Sequence, residues 1–365
     1  MKLKIKSFNF EFFVLSFLIL IITFRYFYTK PNYKDGDILK ITTRVYSEPI
    51  TYEDSQFVTI QGLKTYLPKY PEVSYGDKIV IKGVVKEKEG KGFYLVSPEI
   101  LQKDENKGFL YKLRQKLIFF YKHSLPEPYS SLVAGITIGS KNMPESFWEI
   151  LKKTGTAHVV VASGTNVTML SVFLISTLTY FFNRKHAVFI TLAGIVGYII
   201  LSGFDAPIIR AGIMGSIVFL AQITGRVSSS WRILTFTSLI MLLIKPVWLT
   251  DLGFILSFVA TGSLMLFQSK INEKLEFVPS ILREGLSTSL AAQIGVAPIL
   301  FVTFGQFNLI SPVINALILW TVSYIMIFGA LGGILGLFIP ILGRVVLMLS
   351  FPLLYWFVKV VTIFG

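Results

Sequence analysis

Apolar and polar positions along this chain fall into two regimes. A basic start (Lys2, Lys4, Lys6) precedes an apolar run from about Phe12 to Phe24, flanked by aromatics. The run has the basic-then-apolar shape of a signal peptide. However, Arg25-Tyr26-Phe27-Tyr28 stands where small residues would mark cleavage. The expectation is an uncleaved anchor over 1–30 with a cytoplasmic N-terminus. From Ala157 onward, apolar runs of membrane-crossing length alternate with short charged loops: 157–181, 187–204, 207–225, 232–246, 249–268, 286–304, 310–338 and 345–363. With the anchor they predict about nine transmembrane helices.

The 31–107 segment reads differently. Ile38–Val45, Phe57–Ile60, Gly76–Val85 and Gly92–Val96 are short β-rich runs separated by Gly, Pro and Asp, which indicates a compact β unit. Gly76-Asp-Lys-Ile-Val-Ile-Lys-Gly83-Val-Val suits a strand bent at its glycine in a small OB-like barrel. Barrels of that type bind single strands by stacking bases over a basic groove. Pro31–Lys107 holds twelve Lys/Arg against twelve Asp/Glu, however, so no electrostatic trap for nucleic acid is evident.

Residues 108–125 then carry a basic amphipathic pattern. Apolar positions recur at 109, 110, 113, 117, 120 and 121, and no acidic residue falls between Gly108 and His123. The segment reads as an interfacial helix ended by Pro126 and Pro128, anchoring to anionic lipid or meeting an anionic substrate. The fold class expected is a polytopic α-helical membrane protein with an N-terminal extracytoplasmic OB-like β domain. Residues 126–365 form its membrane domain.

Composition fits this picture. The chain is 53% hydrophobic and 15% charged, against about 25% charged in an average soluble domain. Without cysteine, disulfides, thiolate metal sites and cysteine nucleophiles are excluded. The formal charge, 35 − 21 = +14, sits largely in the N-terminus, in 108–123 and in short loops. Alternating from a cytoplasmic N-terminus puts Arg184/Lys185, Arg226/Arg232, Lys270/Lys274/Arg283 and Arg344 inside, which satisfies the positive-inside rule. The same alternation puts the β domain outside, as expected of a multi-pass protein of the inner (cytoplasmic) membrane.

Polar groups at membrane depth are costly and mark a pathway or a site by default. Four clusters stand out. In the first, His158, Ser163, Gly164 and Asn166 enter an otherwise apolar run, and Gly164 could break the helix. In the second, Gly203, Asp205 and Arg210 surround Pro207 at a helix start. Asp205 suits an N-cap, and Arg210 either finds a buried partner or snorkels to the interface. In the third, Asp251 opens a helix on which Gly253, Ser257 and Thr261 share a face. The fourth comprises Gln293, Pro298, Phe304, Gly305, Phe307, Pro312 and Asn315, suggesting a bent or re-entrant hairpin. Each cluster alone is explained by packing or capping; together they suit a conduit or transporter with broken helices.

At these clusters the sequence resembles the ComEC-type competence family, the inner-membrane channel for DNA uptake in transformation. Gly155-x-x-His158 through Ser163-Gly164-x-Asn166-Val167 matches its first signature. Gly203 with Arg210-Ala211, the run Asp251 to Gly262, and Pro298, Phe304-Gly305-x-Phe307, Pro312 and Asn315 match three more, in family order. There are departures: many members have a second histidine where Asn166 stands, and a proline where this chain has Trp320. Many also carry a C-terminal metallo-β-lactamase-like domain. This chain, with histidines only at 123, 158 and 186, does not supply its metal cluster.

The resemblance implies a non-enzymatic, cofactor-free permease for single-stranded DNA. Its implied partners are membrane lipid, a separate nuclease, a DNA receptor and a cytoplasmic motor; as the sequence has no P-loop, energy would come from such a motor or from a gradient. Arg210, His158, Asn166, Gln293 and Asn315 would contact phosphate or base edges. Phe304 and Phe307 would offer stacking surfaces, and Gly164 and Gly203 close backbone approach. Two rivals stand beside this reading: a transporter or flippase for another anionic substrate, and an intramembrane hydrolase built on His158, Ser163 and Asp205 or Asp251.

Overall fold

The computed structural model describes residues 2–29, 32–52, 54–88, 92–105, 108–161, 163–225, 229–305 and 308–365. Helix α1 (Lys2–Thr29) leads into six strands: β1 (Ile38–Arg44), β2 (Ile50–Thr51), β3 (Ser55–Ile60), β4 (Leu63–Pro68), β5 (Lys78–Lys88) and β6 (Gly92–Asp104). They form one sheet in the order β1-β5-β6-β4-β3-β2. All pairs are antiparallel except β4 with β6. Gln61 and Gly62, both at positive φ, make the two-residue hairpin between β3 and β4. Ile41, Val58, Leu63, Leu67, Ile79, Ile81, Val85 and Leu95 alternate inward to form the domain core.

Gly83 does bend its strand. The β5–β6 register shifts between Lys82 and Val84, and a Cβ on Gly83 would lie 2.7 Å from Leu95 Cγ. The glycine lets a buried leucine from β6 fill the concave side of the bulge.

The helical body begins with α2 (Phe109–Ser124), α3 (Tyr129–Ile138), α4 (Glu145–Lys153) and the short α5 (Ala157–Val160). It continues with α6 (Gly164–Phe181), α7 (Arg184–Ser202), α8 (Ala206–Ile223), α9 (Ser230–Ile244), a 3-10 turn (Pro246–Thr250) and α10 (Leu252–Lys274). The remainder is α11 (Ser280–Phe304), α12 (Ser311–Phe338), α13 (Pro340–Leu349) and α14 (Phe351–Phe364).

Six helical spans are long and apolar enough to cross a membrane, or seven if α13 and α14, bent by 49° at Ser350, are one. The expected nine are not reached by this measure among the described residues. The 232–246 run becomes α9, whose 15 residues at about 1.5 Å each fall short of a hydrocarbon core about 30 Å thick. Large apolar side chains such as Phe189, Leu220, Phe301 and Ile327 point outward from the long helices, where lipid would cover them.

Two elements differ from the sequence reading. Helix α2 does not lie against lipid alone. The middle and end of its stripe pack into protein, with Leu117 and Tyr121 in the core cluster of the body and Leu113 and Phe120 half-buried against it, while Phe109 at its start stays exposed. Tyr121 is fully enclosed and donates to Gly329 O of α12 at 3.0 Å. Glycines on α12 admit it: a Cβ on Gly333 would meet the Tyr121 hydroxyl and Leu117, and one on Gly336 the Phe120 ring. The second element, α3, had no counterpart in the spans read from the sequence. Every residue from Ser130 to Ile138 is buried, and the helix ends at Gly139 in the left-handed conformation.

Candidate conduit site

The apolar run that begins at Ala157 is broken. α5 stops at Val160, and α6 restarts at Gly164 with Ser163 extended before it. Asn166, fully buried in the first turn of α6, donates to Ile136 O of α3 at 2.7 Å. Ser163 Oγ donates to Asn166 Oδ1 at 3.3 Å. The first bond ties the restart of α6 to α3, and the second holds the Asn166 amide in place. His158 is exposed on α5, and no hydrogen bond joins it to Ser163 among the described residues.

Gly164 packs on Arg210. A Cβ there would sit 3.0 Å from Arg210 Nη2 and 3.3 Å from Ala211 Cβ, so a larger residue would fit only if the guanidinium and Ala211 moved by a few tenths of an ångström. Arg210, about a turn inside α8, crosses to α10, where Nη1 donates to Ser257 O and Thr261 Oγ1. It therefore does not snorkel. Three of the four sequence clusters meet at this one guanidinium. Carbonyl and hydroxyl dipoles hold one edge of it, Nε is buried without a partner, and no carboxylate pairs with it among the described residues. A partly buried cation without a counter-anion is a poor structural choice and a good anion site.

The fourth cluster forms a second joint with the segment before α5. Gln293 Nε2 donates to Asn308 O at 2.9 Å, and Asn308 Nδ2 donates to Lys153 O at 2.7 Å. Ser311 packs on Gly155, which is at φ +71° and whose Cβ would meet Ser311 Oγ at 2.8 Å. Asn315 Nδ2 donates to Ser311 Oγ at 3.3 Å, while its buried Oδ1 has no partner. The side chain of Phe304, and Phe307 altogether, lie outside the described residues.

The acidic candidates serve other ends. Asp251 caps α10, its Oδ1 accepting from Phe254 N at 2.9 Å. Asp205 precedes α8 but does not cap it. Its carboxylate pairs instead with Lys141 Nζ at 2.8 Å, joining the α7–α8 turn to the loop after α3. Gly203, at φ +109°, ends α7 and turns the chain under Tyr75 of the β domain, whose Cε2 a Cβ would meet at 3.9 Å.

That contact belongs to a docking hub which the sequence reading missed. Arg114, 2% exposed, stands where the carbonyls at the end of α3 converge. It donates to Ile138 O, Leu201 O and Gly139 O, and its Nη2 lies 3.0 Å from Glu48 Oε2. The cation thus sits at the negative end of a helix dipole. Glu48 comes from the β1–β2 loop and also accepts from Ser140 Oγ at 3.0 Å and from Lys141 N. Tyr75, whose ring lies 5.2 Å from the Arg114 guanidinium carbon, donates to Ile200 O at 2.8 Å. Burial first, then the neighbouring Tyr111, pushes its phenol above the usual range, against the opposing pull of Arg114, so it stays a neutral donor. One signal was available: position 114 falls on the apolar stripe of α2, between 110, 113 and 117.

Long apolar helices, broken and repacked around polar joints and joined to an N-terminal β sheet, define a multi-pass membrane protein. Residues 136–365 match the family model described as Competence protein, and the chain belongs to that family. It is 29% identical to ComE operon protein 3 of Bacillus subtilis over 243 residues, which cover 63% of this chain and 30% of that protein. An uncharacterized protein of Aquifex aeolicus is 25% identical over 303 residues, covering 80% of this chain and 68% of its own length. The uncharacterized protein YcaI of Escherichia coli is 25% identical over 215 residues, or 55% of this chain and 28% of that protein. The chain thus spans under a third of the Bacillus relative's length. No solved structure matches.

Proposed function

We propose that this protein passes single-stranded DNA through the cytoplasmic membrane during natural transformation, as a conduit rather than an enzyme. Membership of the competence family ties the chain to DNA uptake. The observation that carries the finer reading is Arg210, a guanidinium held by α10 dipoles at the break of another helix, with no carboxylate partner among the described residues. A polyanion crossing hydrocarbon needs such a cation, and a carboxylate beside it would repel the phosphates. Against a hydrolase, Ser163 donates its hydroxyl to Asn166 and makes no bond to His158 among the described residues.

In this reading the β domain lies outside the cytoplasm. It shares its side of the membrane with the α7–α8 turn that it touches through Tyr46 and Tyr75. We read the domain as OB-like because β4 and β6, parallel and adjacent, close a Greek-key order. A nuclease, a DNA receptor and a motor would act together with this conduit.

The test is DNA uptake in cells carrying Arg210→Ala and Arg210→Lys, with membrane abundance measured in parallel. We expect uptake to fall at least tenfold in the alanine variant at normal abundance and to be partly restored by lysine. Normal uptake with Arg210→Ala would reduce the residue to packing. Uptake unaffected by deleting the whole gene would favour a transporter for another anionic substrate.

A further inference from the structure

The β domain is neutral in total charge, but the pleat separates its charges. Outward positions on β5 alternate Lys78, Val80, Lys82, Val84, Lys86, and those on β1 run Ile38, Lys40, Thr42, Arg44. No acidic residue occupies that face of either strand. The antiparallel register sets Lys40 directly opposite Lys82 and Arg44 opposite Lys78. Side chains directly opposite across a ladder share a face, and like charges so placed destabilise the sheet. Lys40, Arg44, Lys78 and Lys82 are all exposed, and none pairs with a carboxylate among the described residues. On β6, Glu99 and Asp104 stand opposite Lys82 and Lys78 and border the stripe. Lys82 and Lys78 thus each have a carboxylate across one ladder and a cation across the other, whereas Lys40 and Arg44, on the edge strand β1, face only cations.

The stripe has a direction. Lys86 to Lys78 is eight residues, about 27 Å at roughly 3.4 Å per residue. At the Lys86 end, Lys88 lies over the Tyr94 ring at 6.0 Å. At the other end, Arg44 is two residues from Tyr46 and Lys78 three from Tyr75, the two rings that touch the α7–α8 turn. The cations therefore run along the domain toward the point where it docks on the helical body. An extended strand with regularly spaced phosphates matches them in shape and charge.

We propose that the outer face of β1 and β5 is a track for the phosphate backbone of a single strand, which it leads toward the α7–α8 turn of the body. This rests on the reading of the substrate as nucleic acid. The track holds the backbone and leaves the bases unread, because its outward residues between the cations are Val80, Val84, Ile38 and Thr42, not aromatics.

The full chain in neutral-lipid nanodiscs, with and without Lys40→Gln/Lys82→Gln/Lys86→Gln, is titrated with a fluorescent thirty-residue oligothymidylate across a salt series. An abasic phosphodiester of the same length runs beside it. We expect the triple variant to bind at least tenfold more weakly at low salt. Its slope of log affinity against log salt should be shallower by about 2, at about 0.7 for each phosphate that a lysine no longer neutralises on a single strand. The abasic probe should bind nearly as well as the oligonucleotide. The variant should melt close to the parent, since at Lys82 it removes both the repulsion from Lys40 and the attraction to Glu99. An unchanged affinity and slope would overturn the track, as would loss of binding with the abasic probe. The conduit reading fails separately: a protein that binds through these lysines but takes up DNA normally with Arg210→Ala keeps the track and loses the conduit role of Arg210.

Discussion

Removing the carboxylate of Glu48 tests how the β domain is held on the body. Glu48→Gln keeps the shape of the side chain and removes the only carboxylate paired with Arg114 among the described residues. The Arg114 side chain is 3% exposed and that of Glu48 12%, so solvent screens the pair little. Breaking a buried pair by removing one partner costs about 3–5 kcal/mol. Arg114 keeps its three carbonyl acceptors, Ile138 O, Leu201 O and Gly139 O, which places the loss near the lower end, about 3 kcal/mol. At 1.4 kcal/mol per tenfold, that is roughly a hundredfold in the docking equilibrium. Hydrogen exchange at Tyr46–Thr51 and Ser74–Asp77 reads it directly and should accelerate by about that factor, while β3 and β4 stay protected. Arg114→Met alone should also loosen the loops. The double variant should lose less than the sum, because neither charge is left unpaired. Additive losses, or exchange in Glu48→Gln that matches the parent, would refute the argument that this pair carries the docking.

Two further substitutions probe close packing. Gly164→Ala places a methyl 3.0 Å from Arg210 Nη2 and should displace the guanidinium, lowering uptake more than thermal stability, which should fall by about 1 kcal/mol; uptake at the parental level would contradict this. Gly83→Ala drives its Cβ against Leu95 Cγ and should cost about 1–3 kcal/mol, seen as a lower melting temperature of the β domain, with partial recovery in Gly83→Ala/Leu95→Ala.

The sequence made the classes of element legible because their periods differ. Alternation over Ile38–Val45 and Gly76–Val85 became β1 and β5, and the apolar runs became helices. The four polar clusters were also visible, since a histidine, an arginine or an asparagine in an apolar run stands out. Their pairing was not. Nothing local says that Gly164 lies against Arg210, or that Asn308 bridges Lys153 and Gln293, because those contacts join segments far apart in the chain. The role of Asp205 was misread for the same reason: a residue before a helix start suits a cap, and only the tertiary fold brings Lys141 to it. Summed charge hid the segregation in the β domain, which appears only when positions are sorted by face.

Helix α3 bears on how the protein is made. At 10 residues it is about 15 Å long, half the thickness of a hydrocarbon core, so it cannot settle in lipid as a span by itself. Yet every residue from Ser130 to Ile138 is buried, and α3 packs against α12 and α14, whose Ile314, Ile318, Ile325, Leu354, Phe357 and Val361 share its core cluster and come far later in the chain. When α3 leaves the ribosome, none of these partners exists. The segment must wait, sheltered at the membrane interface or by the insertion machinery, until α12 and α14 arrive. Insertion of this body is therefore not strictly sequential: its centre is laid down early and closed late.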